Sequence, residues 1–229
     1  MHPERRPADA EISVDDFAGP PSGPRGVGRP SEAAPRRRSP EPAPPTSRFR
    51  AAVGAWAAGR NGWVRAPLLL WLGWILLRLW SDPGAPTIFA GIDLAIHEIG
   101  HILWSPFGEF MGFAGGSLTQ VMAPVAAGAV LYRQNDWFGV AFAAAWLGIN
   151  CFEIAAYAGD ALTRQLPLVS PGTGEPEHDW TWMLATLDLL PRTEAVAAAW
   201  LWAGRLSMIG GIGFGAWVLR LMARRPGPS

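Results

Sequence analysis

The stretch Pro86–Trp104 (PTIFAGIDLAIHEIGHILW) sets His97, Glu98 and His101 inside an otherwise apolar run. A run of this length reads as a membrane span, and ionisable groups at that depth cost a few kcal/mol each unless they are paired or bound. On a helix, residues four apart lie one above the other. His97 and His101 can therefore point at one ion, and Glu98, three residues before His101, borders the same face. This is the H-E-x-x-H pattern, in which two imidazoles hold zinc and the glutamate is general base on a zinc-bound water.

The rest of the chain supports the membrane setting. Of 229 residues, 49% are hydrophobic and 13 are Trp. Four further apolar stretches, Ala66–Trp80, Ser117–Tyr132, Trp137–Tyr157 and Glu194–Met222, are expected to join Pro86–Trp104 in an all-α integral membrane bundle of about five transmembrane helices. Ser105–Gly116 (SPFGEFMGFAGG) holds a proline and four glycines but is too apolar for a free loop, so it reads as a re-entrant or interfacial segment. Pro124 is an expected kink. Formal net charge is zero, so nothing points to nucleic acid; that all 19 basic residues are Arg reads as composition and not mechanism. Cys151, the single cysteine, reads as a buried inert thiol.

Residues 1–47 read as a disordered tail ahead of a membrane domain over 48–229. Eleven of the 22 prolines fall in the first 45 residues, with Arg36-Arg37-Arg38 among them. Such a segment buries too little apolar surface to offset its chain entropy; a Pro-rich ligand for a partner domain is the alternative. Ser47–Arg65 is basic and amphipathic, fit for a membrane surface or a connector. Its charge, against the acidic turn after Trp80, sets the N-terminus in the cytoplasm. The arginines near the C-terminus point to the same side, which conflicts with five crossings.

Two histidines and a water leave a tetrahedral catalytic zinc one protein ligand short. Asp160, at the end of the fourth span, and His178, in the extramembrane segment Leu162–Thr193, are near-equal candidates, with Glu153 behind them. Asp179 reads as an N-cap of the helix that follows, or as an acceptor for His178. Glu153 and Arg205 lie at membrane depth and need partners. Pairing of Arg205 with Glu153 or Asp160 is expected, and stabilisation of an oxyanion is its sharper alternative.

The motif His97-Glu98-Ile99-Gly100-His101 in a membrane span resembles the site-2 protease family of intramembrane zinc proteases. The resemblance implies a three-span core in which the first span carries the motif, an irregular segment follows and the third span supplies an Asp ligand, here Asp160. The stretches HEIGHILWSPFGEF, GGSLTQVMAP, YAGDALTRQLPL and HDW also resemble a group of bacterial membrane proteins with H-E-x-x-H motifs. That second resemblance covers 86–190, implies no established activity, and favours a functional His178. The expectation is a zinc-dependent intramembrane or membrane-proximal protease of the bacterial cytoplasmic membrane, with Glu98 as base and a membrane-protein segment as substrate. The alternative is a non-catalytic zinc-binding membrane protein with a structural or regulatory role.

Overall fold

The structure, a computed structural model, describes residues 44–167 and 177–224, which form seven α-helices and no strand. They are α1 (Pro45–Ala57), α2 (Ala66–Ser81), α3 (Ala90–Trp104), α4 (Glu109–Arg133), α5 (Trp137–Gly159), α6 (Asp179–Thr186) and α7 (Thr193–Ala223), with single 3-10 turns at Ser105–Phe107 and Leu190–Arg192. The all-α expectation holds for these residues. The expected tail lies outside them except for its last residues, where Pro45 already opens α1. The proposed tail partner therefore falls outside the described chain.

Three segments are long and apolar enough to cross a membrane, Glu109–Arg133, Trp137–Gly159 and Leu190–Ala223, rather than the expected five. α2 has 16 residues and α3 has 15, so they rise only about 24 and 22 Å against a hydrocarbon core of about 30 Å. Their outer faces are nevertheless apolar. Leu70 and Leu77 on α2 are 76% and 71% exposed, and Ile102 on α3 is 67% exposed. The inner face of α3 carries Asp93, His97 and His101 at intervals of four residues, with Gly100 between the histidines. A helix with polar groups inward and aliphatics outward suits an apolar surrounding.

Cross-contacts set the helix directions. His97 meets Gln120 and His101 meets Gly112, so α3 and α4 are antiparallel. Gln120 meets Glu153, and Gly128 faces Ala143, so α4 and α5 are antiparallel as well. α5 and α7 form the tightest pair. A Cβ on Gly204 would lie 2.9 Å from the Gly148 carbonyl oxygen, and Ser207 Oγ donates to the Ala144 carbonyl at 2.7 Å. Small residues let these backbones approach closely, the usual device of helix pairs in membranes. Leu69 packs at Gly215 and Trp80 lies under Arg205, so α2 runs with α5 and against α7.

α2 and α3 thus run the same way. Residues 82–89 must bring the chain back along the bundle without helix, ending where Phe89 meets Trp71 and Phe142. Ser105–Gly116, expected as an irregular re-entrant or interfacial segment, is instead one 3-10 turn, Gly108 and the start of α4. In the expected place α4 is helical from Glu109, and its glycines serve contact rather than breakage. A Cβ on Gly115 would lie 2.6 Å from the Gly100 carbonyl oxygen, and one on Gly116 would collide with the His97 imidazole. Only Gly108, at φ 106°, needs glycine's backbone freedom, at the tight turn between α3 and α4. α4 continues as one helix through the buried Pro124.

α1 is neither free nor a bare connector. Val53 and Ala57 are buried with Trp137, Phe138, Val218 and Met222, and Phe49 packs edge-on against Trp137 at 5.2 Å. α1, the C-terminal ends of α4 and α7, and the start of α5 therefore share one end of the bundle. α6 closes the other end. Its Trp182 stacks on Phe113 of α4 at 4.3 Å, and Thr181 Oγ1 donates to the Ala161 carbonyl at 2.6 Å.

Candidate metal centre

His97 is buried on the face of α3 that packs against α4, and His101 follows one turn later, half-buried. Their ring centroids are 4.7 Å apart. His97, Glu98 and His101 offer ligand atoms that all lie within 4.8 Å of one another. They could hold a metal ion.

The outer nitrogens of the two rings are fixed by α4. His101 Nδ1 lies 2.8 Å from the Gly112 carbonyl oxygen. A carbonyl only accepts, so Nδ1 carries the proton and Nε2 is left with a bare lone pair. His97 Nδ1 lies 2.8 Å from Gln120 Oε1, while Gln120 Nε2 donates to Glu153 Oε2 at 3.4 Å. That amide orientation gives His97 the same tautomer. Hydrogen bonds of this type orient metal-binding imidazoles and raise their basicity.

Both Nε2 atoms face the same carboxylate oxygen. Asp179 Oδ2 lies 3.0 Å from His97 Nε2 and 3.3 Å from His101 Nε2. Three acceptor atoms converge, and acceptors repel one another unless a cation sits among them. Ligand atoms around a tetrahedral zinc with bonds of 2.0 Å lie about 3.3 Å apart. The residues present therefore fit a divalent ion. One proton on either ring would satisfy one contact only. With protons on both Nε2 atoms in place of a metal, the hydrogen bonds and charges of His101 and His97 would hold the Asp179 carboxyl at about 2 against the rise from burial. Tyr157 steadies the same group: its O–H donates to Asp179 Oδ2 at 3.2 Å and its oxygen accepts from the Asp179 backbone N–H at 3.2 Å.

The two expected third ligands meet each other instead of the imidazole pair. Asp160 caps α5 and closes the loop after it. Its Oδ1 accepts from Thr163 Oγ1 at 2.6 Å and Gln165 N at 2.9 Å, and its Oδ2 accepts from Leu166 N at 2.9 Å. These bonds hold its carboxyl below the usual carboxylate range against a rise from burial. His178 Nε2 lies 3.6 Å from Asp160 Oδ2, and its Nδ1 accepts from Thr181 N at 3.3 Å. His178 is thus the N-cap of α6, a role expected for Asp179, which is the first helical residue. With Nδ1 occupied by an N–H and Nε2 carrying the proton, His178 has no lone pair to offer here. Burial lowers its pKa further.

Glu153 finds Gln120 and the Thr87 hydroxyl, the latter at 3.5 Å, and not Arg205. Arg205 lies over the Trp80 and Trp202 rings at 4.4 and 5.0 Å from their centroids. Neither expected ion pair forms, because Arg205 sits on the α2 side of α7 while Glu153 faces α3 and α4. A cation–π contact takes the place of the counter-ion.

Four polar residues escaped the sequence reading in these roles. Asp93 is fully buried, accepts from Trp146 Nε1 at 2.9 Å, and sits one turn before His97 on the same face, a spacing that was visible. Gln120 was visible as a lone amide in an apolar run. Asp179 and Tyr157 carried no pattern linking them to α3. Around these groups lies a cavity of about 750 Å³, bordered by His97, Glu98, His101, Tyr157 and Asp179. Comparison with protein families, curated proteins and solved structures finds no match for this chain.

Proposed function

We propose that the protein is a zinc-dependent, membrane-proximal protease, in line with the site-2 protease resemblance, with His97, His101 and Asp179 as the metal ligands. The observation that carries this reading is the convergence of two bare Nε2 lone pairs and one carboxylate oxygen beside Glu98, at the edge of a cavity. Imidazole and carboxylate ligands suit zinc. When bound, the ion would make hydroxide available at neutral pH and polarise the scissile carbonyl. Glu98 accepts the proton of the attacking water and delivers it to the leaving nitrogen. Gln120 and the Gly112 carbonyl keep the imidazoles in register. The substrate enters extended, since a helical segment hides its carbonyls in hydrogen bonds.

Location follows from charge. Arg48, Arg50, Arg60, Arg65, Arg133, Arg220 and Arg224 gather at the α1 end of the bundle, with Asp136 the sole acidic residue there among the described residues. The positive-inside rule makes that end cytoplasmic. The described N- and C-terminal ends then lie on the same side, which removes the conflict raised by five crossings, and the metal centre lies toward the opposite face. It sits beside the first turns of α4, from Gly112 to Gln120, about 5 to 16 Å along the helix.

The test is Glu98→Gln. The expected result is stoichiometric zinc with cleavage of a model membrane peptide abolished; surviving cleavage removes Glu98 from the chemistry. One observation favours a second reading. Glu98 lies within ligand distance of both histidines, so it could complete a closed four-ligand structural site. In that case Glu98→Gln lowers zinc occupancy and the wild type cleaves nothing.

A further inference from the structure

The cavity carries charge of one sign. Glu98, Glu109, Glu153, Glu177 and Asp179 border it, and no Arg does among the described residues. This is a strong bias in a chain whose 19 acidic residues are matched by 19 arginines. A divalent ion held by His97, His101 and Asp179 would balance Asp179 and Glu98. Glu109 and Glu177, both exposed, remain uncompensated, while the half-buried Glu153 is held by Gln120 and the Thr87 hydroxyl. The rest of the wall is apolar, with Leu94, Phe113, Leu166 and Pro167.

We infer that the site selects a cationic, apolar peptide segment: apolar side chains against Leu94 and Phe113, and basic side chains toward Glu109 and Glu177. Low-dielectric walls around like charges focus the field and raise the local concentration of the opposite charge. An acidic segment, or one carrying phosphate, is repelled by the same groups. The binding claim stands on the cavity alone; the claim that the bound segment is cut rests on the protease reading.

The two are separable in one experiment. Three fluorescent peptides share one apolar sequence and differ only in two flanking pairs, Arg-Arg, Gln-Gln or Glu-Glu. Each is titrated onto the zinc-loaded protein in zwitterionic phosphatidylcholine nanodiscs, with empty nanodiscs as the blank, and binding and cleavage are both followed. The Arg peptide should bind about tenfold tighter than the Gln peptide, and the Glu peptide weaker still, with the spread shrinking as salt rises. In Glu109→Gln/Glu177→Gln, with zinc content as the check on the site, the Arg peptide should fall to the affinity of the Gln peptide. Equal affinities for the three, or preference for Glu, overturn the inference even if all are cut. A preference for Arg without cleavage upholds it and removes the protease reading. Failure of all three to bind at up to about 1 mM overturns both.

Discussion

Asp160 and Asp179 flank the same histidine, and both are buried, yet they do different work. Asp160 spends both oxygens on its own loop, accepting from Thr163, Gln165 and Leu166. Asp179 turns one oxygen onto His97, 82 residues away in the chain, and onto His101. A carboxylate already saturated by local donors has little capacity left for a metal. One delivered by a short docked helix to two bare imidazole nitrogens, with a single long hydrogen bond from Tyr157 at 3.2 Å, keeps that capacity. The difference lies in which donors each backbone position supplies, and not in the residue type.

The sharpest way to break this contrast is metal content in parallel alanine variants. Asp179→Ala should lose zinc, with affinity down at least about 100-fold, beyond the range produced by losing a residue that merely orients a ligand. Asp160→Ala should keep zinc but unfold more easily by about 1–3 kcal/mol, since it removes the three hydrogen bonds that close the loop after α5. Zinc lost from Asp160→Ala and kept in Asp179→Ala would reverse the assignment. A second measurement sharpens the imidazole side: Gln120→Leu frees His97 Nδ1 and should weaken zinc binding about 10- to 100-fold in a competition titration with a chelator. Gly116→Ala drives a methyl into the His97 ring. It should cost about 1–3 kcal/mol in thermal unfolding and lower zinc affinity as well. The smallest effect is expected at Arg205. Replacement by Leu removes a cation–π contact of about 0.5–2 kcal/mol and should leave zinc content unchanged; loss of zinc would mean that Arg205 reaches the site after all.

The same contrast explains what could be read from the residues. The spacing of His97 and His101 guarantees a shared helix face, because 3.6 residues per turn is a property of the backbone. The long apolar runs of α4, α5 and α7 are equally legible, since burial in lipid demands composition more than order. Helix ends and returns were less so. The glycines of Ser105–Gly116 look like breakers in isolation, but close contact with α3 makes Gly115 and Gly116 packing residues, and only Gly108 serves a turn. The non-helical return at 82–89 is encoded only in the fact that α2 and α3 are parallel, which no local pattern states. Arg205 looked like a counter-ion until α7 was seen to turn it toward two indole rings.

From the chain alone came the paired imidazoles, the glutamate beside them and an apolar, all-helical setting, each a consequence of periodicity and composition within about twenty residues. Only the packed structure set Asp179, rather than Asp160 or His178, against the pair, directed both Nε2 lone pairs inward through Gly112 and Gln120, and gathered seven of the eleven described arginines at the far end. Those outcomes depend on which helices touch, and contact between residues 82 positions apart is settled by the mutual fit of whole helices rather than by any short stretch of sequence.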